Sequence, residues 1–451
     1  MRSRFARYTA GAVVSGAAAL AVAPAAMAQP QFQLVHQRFA APPTTAQCET
    51  QIGIACYNGP QFEHAYGTDQ LYSKGITGAG QTIVIVDSFG SPSIQQDLAT
   101  YDQQNGLPAP PSFKVIAPEG PIPAYSSTDN TMGGWMVETS LDVEMAHAMA
   151  PGANILLVET PVAETVGVTG FPQMMKAEEY VVNHHLGNVI TQSFAAAEQT
   201  FAKPAQIQAL RYAYRDAAAH GVTVLGSSGD QGPTSAEADG DLFPFEVVNW
   251  PASDPLVTGV GGTQLHLDAN GNRIAPDNVW NDQALFGSAA AGSGGLSTVF
   301  GRPSYQDSVA SVVGGARGVP DISASAAVDG GANVYISTIN TPQGITAPGW
   351  YVIGGTSEAS PLTAGVISLA DQVAGHGLGQ INPALYKMGD GAGSGITDIT
   401  AGNNAVSFTN SNGVTYSLPG FSAGPGYDLA SGLGTENAPQ FVFQLAALAG
   451  K

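Results

Sequence analysis

Four side chains in this sequence have the chemistry of a nucleophile and its acid–base partners. Glu138 and Asp142 lie four residues apart in a segment with helical apolar spacing, so their carboxylates project from one face of a helix. Asp230 lies in a Ser-Gly-Asp turn after an apolar run, where loop residues often carry function. Ser357 lies in a Gly-Gly-Thr-Ser turn between an apolar run and a helix, which is how nucleophilic serines are often presented.

Taken one at a time, these features have ordinary structural explanations. Acidic pairs four residues apart are common on solvated helix faces, although Val137, Leu141 and Met145 form an apolar stripe that favours packing of this helix on a sheet. An aspartate in a turn commonly bonds backbone amides, and a serine before a helix is commonly its N-cap. The combination of the four residues is therefore more informative than any one of them.

In the order Glu138, Asp142, Asp230 and Ser357, the sequence resembles the sedolisin family of serine-carboxyl peptidases. The resemblance covers nearly all of the chain after Cys56. It implies a subtilisin-like α/β fold and hydrolysis of peptide bonds in proteins or peptides. Further stretches that resemble the family are 148–153, 250–253, 259–263, 302–306 and 319–323.

The resemblance implies a role for each of the four residues. Ser357 would attack the peptide carbonyl while Glu138 accepts its proton and later returns it to the leaving amine. Asp142 would orient Glu138 and share its proton, and Asp230, held protonated, would donate a hydrogen bond to the oxyanion. A carboxylate base is deprotonated in mild acid, and a carboxylic acid donates only when protonated. Both requirements predict an acidic working pH.

The resemblance also implies a calcium site near the C-terminus. Its ligands would be the carboxylates of Asp398 and Asp428 and the backbone carbonyls of Ile399, Gly424 and Gly426. Calcium prefers such hard oxygen ligands, and glycines allow carbonyls to turn inward. Water would complete the shell. A glycine-rich turn with two surface aspartates is the alternative.

The elements that must position these residues alternate between strand and helix patterns, which predicts a mainly parallel central sheet with helices on both faces. Active sites of such folds gather at the carboxyl ends of the strands. We expect the helix after Ser357 to begin at Pro361, because proline suits a first helical turn. The expected strands are 81–86, 154–158, 188–191, 221–225, 255–260, 333–336 and 351–353, and the expected helices are 136–149, 171–185, 203–220 and 361–375.

Composition limits the partners of the chain. Only 11% of its residues are charged, where about 25% is usual, and its formal net charge is −20 at pH 7. Nucleic acid is therefore an unsuitable partner. Because the chain has few basic residues, positive charges repel each other little once the carboxylates are protonated, which suits a protein that must stay folded in acid. An ordinary acidic secreted protein would have the same net charge. After the N-terminal segment no apolar run is long enough for a membrane span.

The N-terminus predicts export from a bacterium. Three arginines, an apolar run and Ala-Met-Ala read as a signal peptide over 1–28, so we expect a secreted extracellular or periplasmic product. In an oxidising compartment Cys48 and Cys56 should form a disulfide within a short segment, 29–58, before a catalytic domain over 59–451. Sedolisin-type enzymes usually carry a longer folded pro-segment before the catalytic domain. The short segment 29–58 of this chain departs from that pattern.

Two alternatives stay open. Asp87, at the end of an apolar run, is placed like the aspartate of a subtilisin-like hydrolase, but no His-Gly-Thr segment follows to supply an imidazole base, so we interpret it as a strand-end residue. No histidines stand at zinc-ligand spacing. The second alternative is a catalytically silent binding protein on the same fold.

Overall fold

The computed structural model describes residues 32–164, 167–389 and 393–449. The signal peptide expected at 1–28 lies outside these residues. Among the residues described, no helix has the length and apolarity needed to cross a membrane.

Strands and helices alternate along most of the described chain. The strands are β1 (Gln33–Phe39), β2 (Cys56–Tyr57), β3 (Thr82–Ser88), β4 (Phe113–Ile116), β5 (Asn154–Thr160), β6 (Val189–Gln192), β7 (Ala196–Ala197), β8 (Thr223–Ser227), β9 (Asn249–Trp250), β10 (Thr258–Gln264), β11 (Asn278–Val279), β12 (Gly295–Gly301), β13 (Ala316–Val319), β14 (Ile322–Ser325), β15 (Gly331–Ile336), β16 (Gly349–Gly354), β17 (Ile396–Thr397), β18 (Val406–Thr409), β19 (Thr415–Leu418) and β20 (Thr435–Glu436). The α-helices are α1 (Thr45–Gln51), α2 (Gly59–Tyr66), α3 (Asp69–Tyr72), α4 (Ile94–Asn105), α5 (Asn130–Met149), α6 (Phe171–Asn183), α7 (Pro204–Leu210), α8 (Tyr212–Ala219), α9 (Gln283–Phe286), α10 (Ala310–Val313), α11 (Thr356–Ala374), α12 (Asn382–Met388) and α13 (Ala438–Ala449).

The central sheet is parallel except at one edge. Strands β4, β5, β3, β6, β8, β10 and β14 pair in parallel, and among the described strands of this sheet only β11 is antiparallel, where it joins β10. Along β3, Ile83 and Ile85 join the apolar core that contains α5 and α11, whereas Val84 and Val86 join the core that contains α6 and α8. Alternate residues of a strand point to opposite faces, so helices cover both faces. The predicted fold class is confirmed.

A second, smaller sheet joins the N-terminal segment to the strand before Ser357. Its strands lie in the order β1, β16, β15, β2. Strand β1 pairs antiparallel with β16, and β2 pairs parallel with β15. The expected disulfide between Cys48 and Cys56 is present. The short segment upstream of residue 59 is therefore integrated into the same body as the strand that leads to Ser357.

Three expected helix boundaries were wrong, and the first is the start of α5, which lies at Asn130 rather than at residue 136. Helix α11 begins at Thr356, so Pro361 lies inside the helix and Ser357 is its second residue. Proline lacks the amide that would bond the carbonyl four residues earlier, which here is the carbonyl of Ser357, so a single intrahelical bond of the first turns is lost. The helix expected over 203–220 is divided into α7 and α8 at Arg211, whose backbone ends one helix and begins the next.

Candidate active site

Helix α5 carries Glu138 and Asp142 through the interior of the protein. Asp129 caps its start by accepting hydrogen bonds from the amides of Thr131 and Met132. Every residue of the helix from Thr131 to Met149 is buried. The solvated-face explanation for the acidic pair is therefore wrong, because both carboxyl groups are 0% exposed.

The Glu138 carboxyl faces the hydroxyl groups of two serines. Burial raises its pKa well above the ordinary value, and the nearby charges of Asp87 and Asp230 raise it further. Hydrogen bonding with the hydroxyls of Ser357 and Ser193 acts in the opposite direction. A carboxyl group in reach of the Ser357 hydroxyl has the placement that a general base requires.

Asp142 lies one turn further along α5 and interacts directly with Glu138. Burial raises the pKa of Asp142 well above its usual range, followed by the charge of Glu138. The Ser193 hydroxyl, just beyond β6, donates a 2.9 Å hydrogen bond to Asp142 Oδ1. Two carboxyl groups in direct contact titrate as a pair.

Asp230 follows β8 and contacts the first residue of α11. Its Oδ1 accepts hydrogen bonds from the Thr356 amide at 2.8 Å and the Thr356 hydroxyl at 2.6 Å. The same hydroxyl accepts a hydrogen bond from the Gly229 amide at 3.0 Å. Burial raises the pKa of Asp230 from 3.8 to about 7, although both hydrogen bonds from Thr356 lower it. Asp230 is therefore protonated in mild acid and held against the start of the helix that contains Ser357.

The structure thus brings together all four residues proposed from the sequence. They come from α5, from the turn after β8 and from the start of α11. Ser357, at the start of α11, is buried, with 1% of its surface exposed. Helices α5 and α11 pack closely, since a Cβ added at Gly365 would lie 2.4 Å from the Cβ of Met149. That glycine allows the two helices to approach.

Sequence reasoning missed Asp87 as a member of this cluster. It does lie at the carboxyl end of β3, as expected, but it is 0% exposed and its charge acts on both Glu138 and Asp142. Burial raises the pKa of Asp87 to about 7, and a hydrogen bond with Thr139 of α5 lowers it. Its position at the end of a central parallel strand was the available signal.

Known proteins are similar to this chain in sequence and in fold. No family model matches the chain. Kumamolisin from Bacillus sp. (strain MN-32) is 34% identical over 370 residues, covering 81% of this chain and 60% of that protein. Sedolisin from Pseudomonas sp. (strain 101) is 31% identical over 385 residues, covering 84% and 59% respectively. The solved structure of Pseudomonas sedolisin, a serine-carboxyl proteinase complexed with two molecules of pseudo-iodotyrostatin, matches with a TM-score of 0.72 and 28% identity, covering 88% of this chain and 99% of that chain.

The chain belongs to the sedolisin family. It spans about 60% of the length of the two curated relatives. The family assignment confirms the resemblance and the subtilisin-like α/β fold that the sequence predicts.

The residues proposed as calcium ligands in this sedolisin-family chain lie on two segments that contact each other, one with Asp398 and Ile399 and one with Gly424, Gly426 and Asp428. Asp398 Oδ2 accepts a hydrogen bond from the Gly426 amide at 2.9 Å, and Asp428 Oδ2 accepts one from the Gly424 amide at 3.0 Å. Asp428 Oδ1 also accepts hydrogen bonds from the amides of Ala430 and Ser431, each at 2.9 Å. The two carboxylates are thus held against the same glycine-rich backbone.

This donor set fits calcium in its chemistry. Carboxylate and carbonyl oxygens are the ligands that calcium prefers, and most of the expected ones here are backbone carbonyls. Burial raises the pKa of Asp428, while the hydrogen bonds that it accepts from backbone amides lower the pKa. Among the residues described, no three histidine, cysteine, aspartate or glutamate side chains form a metal-binding group, so a metal held only by such side chains does not fit these two segments.

Proposed function

We propose that the mature chain is an acid-active serine-carboxyl peptidase that hydrolyses peptide bonds in proteins or peptides. The observation that carries this proposal is the placement of the Ser357 hydroxyl against the buried Glu138 carboxyl, which is itself coupled to Asp142. The likeness to kumamolisin and to sedolisin supports it.

Acylation begins when Ser357 Oγ attacks the carbonyl carbon of the scissile peptide bond. The hydroxyl proton passes to Glu138, and the carbonyl π electrons move to the oxygen, which becomes an oxyanion. Asp142 shares a proton with Glu138 and keeps it oriented. When the tetrahedral intermediate collapses, the C–N bond breaks and Glu138 returns the proton to the amine. Water then attacks the acyl-enzyme with Glu138 again as base, and Ser357 regains its proton.

Asp230 stabilises the oxyanion in this mechanism. Its Oδ1 is engaged by the amide and hydroxyl of Thr356, so Oδ2 is the oxygen that carries the proton and donates it in a hydrogen bond. The start of α11 adds its positive dipole end. A donor placed where negative charge develops lowers the barrier of acyl transfer because it needs no reorganisation during the reaction.

The direction of the pKa shifts sets the working pH. Asp230 must be protonated, and its pKa of about 7 meets that requirement only below neutrality. The Glu138–Asp142 pair must have lost one proton, and burial, which raises the pKa of both carboxyl groups, moves the acid limit of activity to higher pH than for exposed carboxyl groups. Activity therefore requires a window of acidic pH bounded on the alkaline side near pH 7.

The remaining parts of the proposal concern the molecule around this site. The catalytic unit comprises residues 59–451, and the chain is exported with a signal peptide, 1–28, that is removed in the mature protein. Calcium, held by Asp398, Asp428 and the carbonyls of Ile399, Gly424 and Gly426, would stabilise the two segments that carry these residues. It takes no part in the chemistry.

The pH profile of protein cleavage by the purified mature chain tests this function. We expect a rate maximum below pH 7, loss of cleavage in Ser357→Ala, and a loss of about 10²- to 10⁴-fold in Glu138→Gln. The exposed Glu246→Gln is the matched control and should keep full activity. A maximum near neutrality with a fully active Glu138→Gln would rule out the carboxyl mechanism. Absence of cleavage at every pH would favour a silent binding protein.

A further inference from the structure

A small cavity opens beside the start of α5 and contains one carboxyl group. It has a volume of about 200 Å³ and is bounded by aromatic and apolar side chains around that carboxyl. Ligand sites for drug-sized molecules are usually about 300 to 1,000 Å³, so this cavity suits a single side chain or a peptide terminus. The lining residues are Phe89, Ser91, Pro92, Ile122, Pro123, Tyr125, Met132 and Glu159.

The carboxyl belongs to Glu159, near the carboxyl end of β5. Glu159 pairs in register with Asp87 of β3, and the two side chains project from the same sheet face as Ile155 and Leu157, which pack toward α5. Met132, also in the cavity wall, precedes Glu138 by six residues on α5, or about 9 Å along the helix. The cavity is therefore adjacent to the active site but separate from its four reacting groups.

The local backbone is built around this carboxyl. Gly90 has a φ of +66°, which favours glycine, and a Cβ added there would lie 1.7 Å from Glu159 Oε1, so the carboxyl of Glu159 packs directly against this glycine. Phe89 has a φ of +60°, an unfavourable value for a residue with a side chain. Strained residues of this kind concentrate at functional sites.

Glu159 has no partner in the described part of the chain. No hydrogen bond or ion pair to its carboxyl is present there, and burial alone raises its pKa to about 7. The Tyr125 hydroxyl, a buried group in the same cavity, also has no hydrogen-bond partner among the described residues. Two titratable neighbours of Glu159, Asp87 on β3 and Tyr125 in the cavity wall, are not cationic, and Lys114 of β4 lines a cavity on the other sheet face.

We infer that this cavity binds a cationic group of the peptide substrate, with Glu159 as its counter-ion. An ammonium or guanidinium can bond to the carboxylate and the Tyr125 hydroxyl, and its alkyl stem can pack on Phe89 and Met132. The rings add cation–π attraction. This inference rests on the proposed peptidase function, because it assigns the cavity to a substrate of that site.

Binding of a cation must be coupled to a proton. With a pKa of about 7, an unpaired Glu159 is mostly protonated at acidic pH. An opposite charge favours the ionised carboxylate, so a bound cation lowers the pKa of Glu159 and releases a proton. Affinity for the cation therefore rises as the pH increases toward 7. The same rise is absent when residue 159 cannot ionise.

Calorimetric titration of peptides into Ser357→Ala at pH 6 tests the inference without requiring cleavage. One set of probes consists of N-acetylated alanine–leucine peptides with lysine or glutamine at successive positions. A second set consists of the same glutamine peptides with a free N-terminus. We expect at least one cationic peptide to bind about tenfold or more tightly than its neutral counterpart. Preference for an internal lysine indicates a side-chain subsite, whereas preference for the free amine indicates recognition of the substrate N-terminus.

Adding Glu159→Gln to Ser357→Ala should abolish that preference and leave binding of the neutral peptide unchanged. The same background with Glu246→Gln, an exposed position, should keep the preference. Equal binding of cationic and neutral peptides, no peptide binding, or an equal loss for both classes in Glu159→Gln would overturn the inference. If the wild-type chain cleaves no protein but still prefers cationic peptides in a way that depends on Glu159, only the proposed function is rejected.

Discussion

Asp230 combines two opposing influences on one carboxyl group. Two hydrogen bonds from Thr356 stabilise its charged form, while complete burial destabilises that form. Burial is the stronger influence, because the pKa rises from 3.8 to about 7. The hydrogen bonds therefore serve to orient the carboxyl group rather than to keep it ionised. An oriented, protonated carboxyl is what an oxyanion donor requires in acid.

The alkaline side of the activity profile should therefore report the ionisation of Asp230. In wild type, kcat/KM should fall as the pH rises through about 7, because the donor proton is lost. Asp230→Asn keeps a donor that cannot ionise, so this fall should disappear, with a lower rate at every acidic pH. The measurement is kcat/KM from pH 3 to 9, and the exposed Asp239→Asn should retain the wild-type profile. A fall near pH 7 that persists in Asp230→Asn would assign it to another group.

At the scale of elements, short apolar runs were sufficient to place several strands of the central sheet, although β4 and β14 were not expected. Strands β3, β5 and β8 overlap the expected segments to within two or three residues, because buried parallel strands are continuously apolar. The start of α11 was not predictable from proline alone, since Pro361 also fits inside a helix that can lose one hydrogen bond.

The membership of the site was predictable only in part, for a similar reason. Asp87 and Ser193 joined it because β3 and β6 are neighbours in the sheet, and this neighbourhood is a property of the tertiary structure. Spacing along one helix linked Glu138 to Asp142, but no sequence spacing links either of them to strands far away in the chain. Glu159 remained unnoticed because its significance depends on a cavity.

The two segments that carry Asp398 and Asp428 should be stabilised together by calcium. A calcium ion held by the proposed ligands would bind the folded site and not the unfolded chain, so added calcium should raise the melting temperature at pH 5 relative to excess chelator. The shift should diminish in strong acid, because the carboxylate ligands must be deprotonated. Asp428→Asn should abolish the shift, and Asp239→Asn should preserve it. If neither calcium nor chelator changes the melting temperature of the wild-type protein, the proposed calcium site is wrong.

At the scale of the whole molecule, many carboxyl groups are buried without a cation nearby. Burial raises the pKa of Glu144, Glu178, Glu358 and Asp371 well above the ordinary range. In the unfolded chain such groups lose their protons near pH 4, whereas the folded protein retains them to higher pH. The free energy of unfolding must therefore fall as the pH rises from about 4 through neutrality. The net charge of −20 at pH 7 adds repulsion in the same direction.

The neighbours Glu178 and Glu179 on α6 permit a matched test of this dependence. Glu178 is 1% exposed and no residue in the described part of the chain bonds to its carboxyl oxygens, whereas Glu179 is partly exposed. Glu178→Gln removes the ionisation, so it should raise the free energy of unfolding by about 1 kcal/mol or more at pH 7 and change it little at pH 4. Glu179→Gln should have little effect at either pH. Urea unfolding at both pH values measures the difference, and equal effects of the two substitutions would show that burial of carboxyl groups does not set the acid preference of the fold.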